Sequence, residues 1–132
     1  MFNSRRRFAL ITAAALSLAL GFAACGGGDD GGGAAPFDPN KTAFTVEMKD
    51  NSFSTKAITV AAGKEITFEL PNKGQIIHNM TAKVDGKDIR SDPSAVKGGE
   101  TGKLVVTFPK AGTYDYICDF HPAEMTGKIT AQ

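Results

Sequence analysis

Gly112-Thr113-Tyr114-Asp115-Tyr116-Ile117-Cys118-Asp119-Phe120-His121-Pro122-Ala123-Glu124-Met125 decides how this chain is read. Its first half is a strand pattern, with Tyr114, Tyr116 and Cys118 on one face and Asp115 and Ile117 on the other. That arrangement would set both tyrosines beneath the thiolate. Its second half brings a thiolate, an imidazole and a thioether into eight residues, Cys118 to Met125. A short loop can fold such a spacing around one metal ion. Thiolate and thioether are soft donors that select copper, and two His with one Cys in a trigonal plane under a weak axial Met is a recurrent electron-transfer copper site. The only other histidine is His78, in Ile77-His78-Asn79. His78, Cys118 and His121 are therefore the candidate plane and Met125 the candidate cap.

Each of these residues also has a plainer reading. A lone free Cys is commonly a small core hydrophobe, and a Met in a β-domain is commonly core filler, as Met48 and Met80 read here. The pattern argues against that for Cys118, because the chain's two histidines and this cysteine all fall into one donor set. His121 precedes Pro122, which biases it to extended backbone and fixes the next φ at about −65°. The loop is stiff where a ligand needs a fixed direction. Glu124 competes with Met125 as a harder oxygen donor, although a weak, long thioether suits copper better. Zinc also accepts His and Cys, but gains little from a thioether.

Outward from this stretch, the chain from Lys41 onward alternates short segments rich in Val, Ile, Thr and Phe with Gly, Asn, Asp and Pro, as an all-β domain does. The pattern predicts strands over Ala43–Met48, Ala57–Val60, Glu65–Leu70, His78–Val84, Leu104–Phe108, Gly112–Ile117 and Lys128–Ala131. Ile66, Phe68 and Leu70 alternate toward one face and are candidate core. Pro71-Asn72-Lys73-Gly74 and Pro109-Lys110-Ala111-Gly112 read as turns. Ser91-Asp92-Pro93 reads as a single helical turn opened by an N-cap and a Pro. Short strands at this density make a two-sheet sandwich. So small a domain buries a modest core, and a bound metal would stabilise its folded state directly.

The N-terminal part reads differently. Ser4-Arg5-Arg6-Arg7-Phe8 is a basic head, and Phe8 to Ala24 is apolar apart from Thr12, Ser17 and Gly21. A charged head, an apolar run and small residues before a break form an export signal, assigned here to residues 1–24. The run nearly reaches spanning length, so an uncleaved membrane anchor is the competing reading. Phe22-Ala23-Ala24-Cys25 resembles a bacterial lipobox, in which the cysteine becomes the acylated first residue of the mature chain. Ser4-Arg5-Arg6-Arg7-Phe8-Ala9-Leu10 also resembles the twin-arginine export signal. Residues 25–40, a lipid-bearing Cys25 and the Gly-rich, acidic stretch to Asn40, then read as a flexible tether. Residues 41–132 are the folded domain.

The two cysteines support this division. With Cys25 lipidated, Cys118 has no disulfide partner, and an unpaired thiol in an oxidising compartment is a liability unless buried or metal-bound. Charge excludes one class of partner. Taking Arg5, Arg6 and Arg7 from the 15 basic residues leaves 12 against 14 acidic ones, a net of −2. No basic cluster lies outside the signal, so nucleic acid is not an expected partner.

His78-Asn79, the run Gly112 to Pro122, Met125 and Gly127 together resemble the cupredoxins, type 1 blue copper proteins such as plastocyanin, pseudoazurin, amicyanin and azurin. The resemblance covers essentially all of residues 41–132. It implies a Greek-key β-sandwich with one copper ion at one end, held by His78, Cys118, His121 and Met125. It further implies that Asn79 braces the ligand loops by hydrogen bonds near the thiolate, a kind of contact that orients ligands and tunes a metal. Electrons would leave by the edge of His121, under an apolar patch for which Pro122 and Ala123 are the candidates. Ile76, Ile77 or Pro71 would complete that patch. The loop is a hybrid, since its three residues between His121 and Met125 are one more than in amicyanin-like loops and one fewer than in plastocyanin-like ones.

The expected function is therefore that of a monomeric, membrane-anchored electron carrier on the periplasmic side, moving single electrons between redox proteins. A copper-delivery lipoprotein, with the metal as cargo, shares the ligand set. A lone compact site without a Met- or His-rich tail favours the carrier. A copper oxidase or nitrite reductase would need further, mostly His-ligated centres, and no histidine remains to build one. The chain is accordingly read as a non-enzyme.

Overall fold

Strand β8 (Thr101–Thr107) buries and exposes alternate residues, with Gly102, Leu104 and Val106 turned inward and Lys103 and Val105 outward. That period of two is what a sheet packed on one face requires. It recurs in β5 (Glu65–Pro71), where Ile66, Phe68 and Leu70 are fully buried as expected. It recurs again in β10 (Thr126–Ala131), where Gly127, Ile129 and Ala131 point inward. The computed structural model describes residues 36–132. The expected signal segment, Cys25 and all of the tether before residue 36 lie outside the described residues.

The described chain is all-β, without a helix. Its other strands are β1 (Ala43–Thr45), β2 (Met48–Lys49), β3 (Ser52–Phe53), β4 (Ala57–Val60), β6 (Thr81–Val84), β7 (Lys87–Arg90) and β9 (Gly112–Ile117). They form a three-stranded sheet in the order β1-β5-β8 and a five-stranded sheet in the order β4-β10-β9-β6-β7, with β2 and β3 as a separate ribbon. β5 pairs antiparallel with β8, setting Phe68 opposite Leu104, and β1 joins β5 in parallel. β10 lies between β4, its parallel neighbour, and β9, its antiparallel one. One apolar cluster joins the sheets, with Ile66, Phe68, Leu70 and Leu104 from the first and Val60, Tyr116 and Ile129 from the second. Each large apolar side chain buried in this way is worth about 1.5–3 kcal/mol of transfer free energy, much of it offset by lost chain entropy.

Gly127 has a steric role in the second sheet. It sits opposite Tyr116 in the β9–β10 register, and a Cβ there would run into the Tyr116 ring. The ring crosses the glycine and meets Phe53 edge-on at a centroid separation of 5.0 Å. Its hydroxyl donates to the Thr55 carbonyl. Tyr114 packs instead on Phe108, at 4.9 Å, and donates its hydroxyl to the Lys110 carbonyl. It stands four residues back from Cys118, about 13 Å along a strand. Tyr114 therefore does not lie beneath the thiolate.

The strands depart from the sequence expectation where turns intervene. Ala43–Met48 is not continuous: β1 ends at Thr45, and β2 pairs with β3 through a tight turn in which Asp50 and Asn51 both take positive φ, 48° and 60°. β6 begins at Thr81 rather than His78, because His78 meets Val96 in an isolated bridge. β7 is an additional strand, reached through Asp85-Gly86 at φ 48° and 76°. Ser91-Asp92-Pro93 opens no helical turn, since Asp92 exchanges main-chain hydrogen bonds with Lys103 and stays extended.

Candidate metal centre

His78 reaches the site from the connection between β5 and β6. The buried side chain of Asn72, just past the end of β5, organises that connection. Its Nδ2 donates to the carbonyls of Ile76 (2.7 Å) and Val96 (2.9 Å), and its Oδ1 accepts from the Gly74 N–H (2.9 Å). His78 then exchanges two main-chain hydrogen bonds with Val96, at 3.1 and 2.8 Å. Its backbone is thereby held before its side chain meets anything.

Cys118, His121 and Met125 lie in the loop between β9 and β10, and that loop closes on itself. Cys118 N–H donates to the Met125 carbonyl (2.9 Å), and His121 N–H donates to the Cys118 carbonyl (3.1 Å). The N–H groups of Glu124 and Met125 both donate to the His121 carbonyl, at 3.2 and 2.9 Å.

The donor atoms converge. Cys118 Sγ lies 3.9 Å from His78 Nδ1 and 3.7 Å from His121 Nδ1, and the three donors all fall within 4.8 Å of one another. A metal about 2.0 Å from nitrogen and about 2.3 Å from sulfur, with ligands about 120° apart, sets sulfur and nitrogen roughly 3.7 Å apart. The observed spacings fit such a plane. His78, Cys118 and Met125 are fully buried, while His121 is partly exposed. Burial and the neighbouring His121 pull the His78 pKa below its usual value, against a smaller upward pull from Asp50. That shift favours the neutral imidazole, the form that binds a metal. Two imidazoles, a thiolate and a thioether in dry surroundings suit a soft ion, copper foremost.

Met125 and Glu124 differ in placement. Met125 is buried with the other donors, whereas Glu124 is exposed and its Oε2 accepts from Asn51 Nδ2 at 3.0 Å.

Asn79 is buried directly after His78. Its Oδ1 accepts from the Asp119 N–H (2.8 Å), and its Nδ2 donates to Asp119 Oδ2 (3.0 Å) and the Ser94 carbonyl (3.1 Å). Asp119 carries no signal in the sequence beyond its place beside Cys118, yet it is the hub of this network. Its Oδ2 also accepts from Thr81 Oγ1 (2.8 Å) and Arg90 Nε (3.0 Å). Burial alone would raise the pKa of this carboxyl, but the bonds from Asn79, Thr81 and Arg90, with the Arg90 charge, hold it below the usual range.

Pro122 and Ala123 are exposed beside His121. Ile76 (46%), Ile77 (41%) and Phe120 (47%) are exposed as well, while Pro71 is only partly so. Ile77 directly precedes His78 and Phe120 directly precedes His121, whose rings are 5.0 Å apart. Phe120 is a large exposed apolar residue next to His121 in sequence that sequence reasoning misses.

Comparison with known proteins agrees with this geometry. A family model described as a cupredoxin-like domain matches residues 10–131. The chain is 30% identical to the copper-resistant cuproprotein CopI of Rubrivivax gelatinosus, over 74% of this chain and 72% of that protein. It is 26% identical to auracyanin-A of Chloroflexus aurantiacus, over 91% and 94% of the two chains. The solved structure of auracyanin A, a "blue" copper protein from that bacterium, shares the fold with a TM-score of 0.58 at 23% identity, covering 68% of this chain and 99% of that one.

Proposed function

The chain belongs to the cupredoxin-like family, and from that membership we propose that it is a membrane-anchored copper electron carrier working outside the cytoplasm. One observation carries the reading: His78, Cys118 and His121 converge in a buried cluster of which His121 alone reaches the surface. Copper would be held by His78 Nδ1, Cys118 Sγ and His121 Nδ1, with the buried Met125 thioether as the fourth donor. Bound copper supplies a one-electron Cu(II)/Cu(I) couple.

The protein's part is to hold the donors still and dry. The Val96 bridge fixes His78, the closed loop fixes Cys118 and His121, and Asn79 with Asp119 ties the two segments together. Ligands that barely move suit an ion that must change charge without rearranging. His121 is the exit for the electron. Phe120, Pro122, Ala123, Ile76 and Ile77 form the apolar rim around it, which suits the brief, small-area docking of redox proteins. Donor and acceptor redox proteins are the partners. The signal-like residues 1–24 and the lipobox-like cysteine support attachment through lipid on Cys25, with residues 25–40 as the tether of a monomeric domain over residues 41–132.

Loading the chain with Cu(II) tests this. An intense visible band that bleaches with ascorbate and returns in air is expected, and Cys118→Ser should abolish it. A loaded protein without colour would remove the carrier reading. The second reading, copper delivery, is favoured by the likeness to a protein named as copper-resistant. A carrier keeps its copper through repeated redox cycles, whereas a delivery protein surrenders Cu(I) to an acceptor.

A further inference from the structure

Among the described residues, two buried side-chain polar atoms lack a hydrogen-bond partner: His78 Nε2 and Asn51 Oδ1. They are chemically complementary. With Nδ1 of His78 turned to Cys118 and given to a metal, the imidazole proton must sit on Nε2, making it a donor. An amide oxygen is an acceptor. Leaving either one buried and unpaired is costly.

Asn51 also occupies the right place. It lies in the turn between β2 and β3, which packs against the connection that delivers His78. A Cβ on Gly74 of that connection would stand 3.4 Å from Asp50 N and 3.5 Å from Lys49 Cα, and Lys73 N–H donates to the Met48 carbonyl at 2.8 Å. The other end of the same amide is already engaged, with Nδ2 on Glu124 Oε2 beside Met125.

We propose that Asn51 is a positioning residue of the metal centre, its Oδ1 accepting from His78 Nε2–H while its Nδ2 holds Glu124. One side chain from a turn remote in sequence then braces both ligand-bearing segments. The bond to Nε2 sets the His78 tautomer, fixes the ring and makes Nδ1 a stronger donor. The inference rests on the metal-centre reading above.

Two substitutions separate the amide from the turn that carries it. Asn51 has φ 60°, so Asn51→Gly removes the side chain without backbone strain. Asn51→Asp keeps an acceptor and loses the donor to Glu124. In the Cu(I)-loaded full chain, NMR of ring-labelled histidine should show a slowly exchanging His78 Nε2–H in wild type and in Asn51→Asp, but not in Asn51→Gly. Copper affinity should fall roughly 10-fold or more in Asn51→Gly, and its reduction potential should rise as Nδ1 becomes the weaker donor. A protected Nε2–H in Asn51→Gly, or none in the copper-loaded wild type, overturns the role of Asn51 alone. A wild-type chain that takes up no copper overturns this inference and the carrier reading together.

Discussion

Asn79 and Asp119 hold each other twice, Asp119 N–H donating to Asn79 Oδ1 at 2.8 Å while Asn79 Nδ2 donates back to Asp119 Oδ2 at 3.0 Å. Asn79 follows His78 and Asp119 follows Cys118, so the pair links two donor-bearing segments one residue away from the donors themselves. Leucine has a similar volume but leaves the Asp119 N–H and the Ser94 carbonyl unpaired, at about 1–3 kcal/mol for each group that stays buried. Asn79→Leu is expected to destabilise the metal-free domain by roughly 2–5 kcal/mol in urea melts. A loss below about 1 kcal/mol would show that water replaces the amide.

Met125 and Glu124 can be told apart by colour. Met125→Leu removes the buried thioether at little cost in volume, so the copper-loaded band should shift and the reduction potential change. Glu124→Gln should leave both as they are, because that carboxylate faces Asn51. The opposite pattern would hand the axial role to Glu124.

Docking can be separated from ligation at Ala123. The side chain is exposed beside His121, and a carboxylate placed there puts an unpaired charge into an apolar contact. Ala123→Glu should slow electron exchange with a redox partner and leave the visible spectrum unchanged. Unaltered kinetics would move the contact surface elsewhere.

Tyr116 gives a pH signature. Burial pushes its pKa up to about 12, whereas the unfolded chain ionises it at about 10. The fold therefore binds this proton more tightly. The stability that follows is fully present below about pH 10 and is lost as pH rises toward 12. Denaturant melts of the metal-free domain across that window should weaken with pH, and Tyr116→Phe should flatten the slope. An equal slope in Tyr116→Phe would mean that other groups govern the alkaline transition.

The strands most legible in the sequence were those whose two faces meet different surroundings. β5, β8 and β10 alternate because one side is core and the other water, and each was placed to within a few residues. β7 escaped because Lys87-Asp88-Ile89-Arg90 has a single apolar residue and nothing to alternate with, although Asp85-Gly86 is a strong hairpin turn signal. Asp50-Asn51 is a similar signal, just beyond the end of the expected strand Ala43–Met48. The donors His78, Cys118, His121 and Met125 were visible because softness and spacing are properties of sequence. Asp119, Thr81, Arg90 and Asn51 were not, since their roles arise from hydrogen bonds across 29 to 73 residues of chain.

β10 is the last of the described strands and the one that joins β4 to β9 in the five-stranded sheet. Translation proceeds from the N-terminus at about 5–20 residues per second, so β4 and β9 leave the ribosome before the strand that joins them exists. The loop holding Cys118, His121 and Met125 cannot close until β10 docks. The nascent thiol stays open until then, and the compartment in which this strand finally docks is the one whose metal pool the finished site first samples.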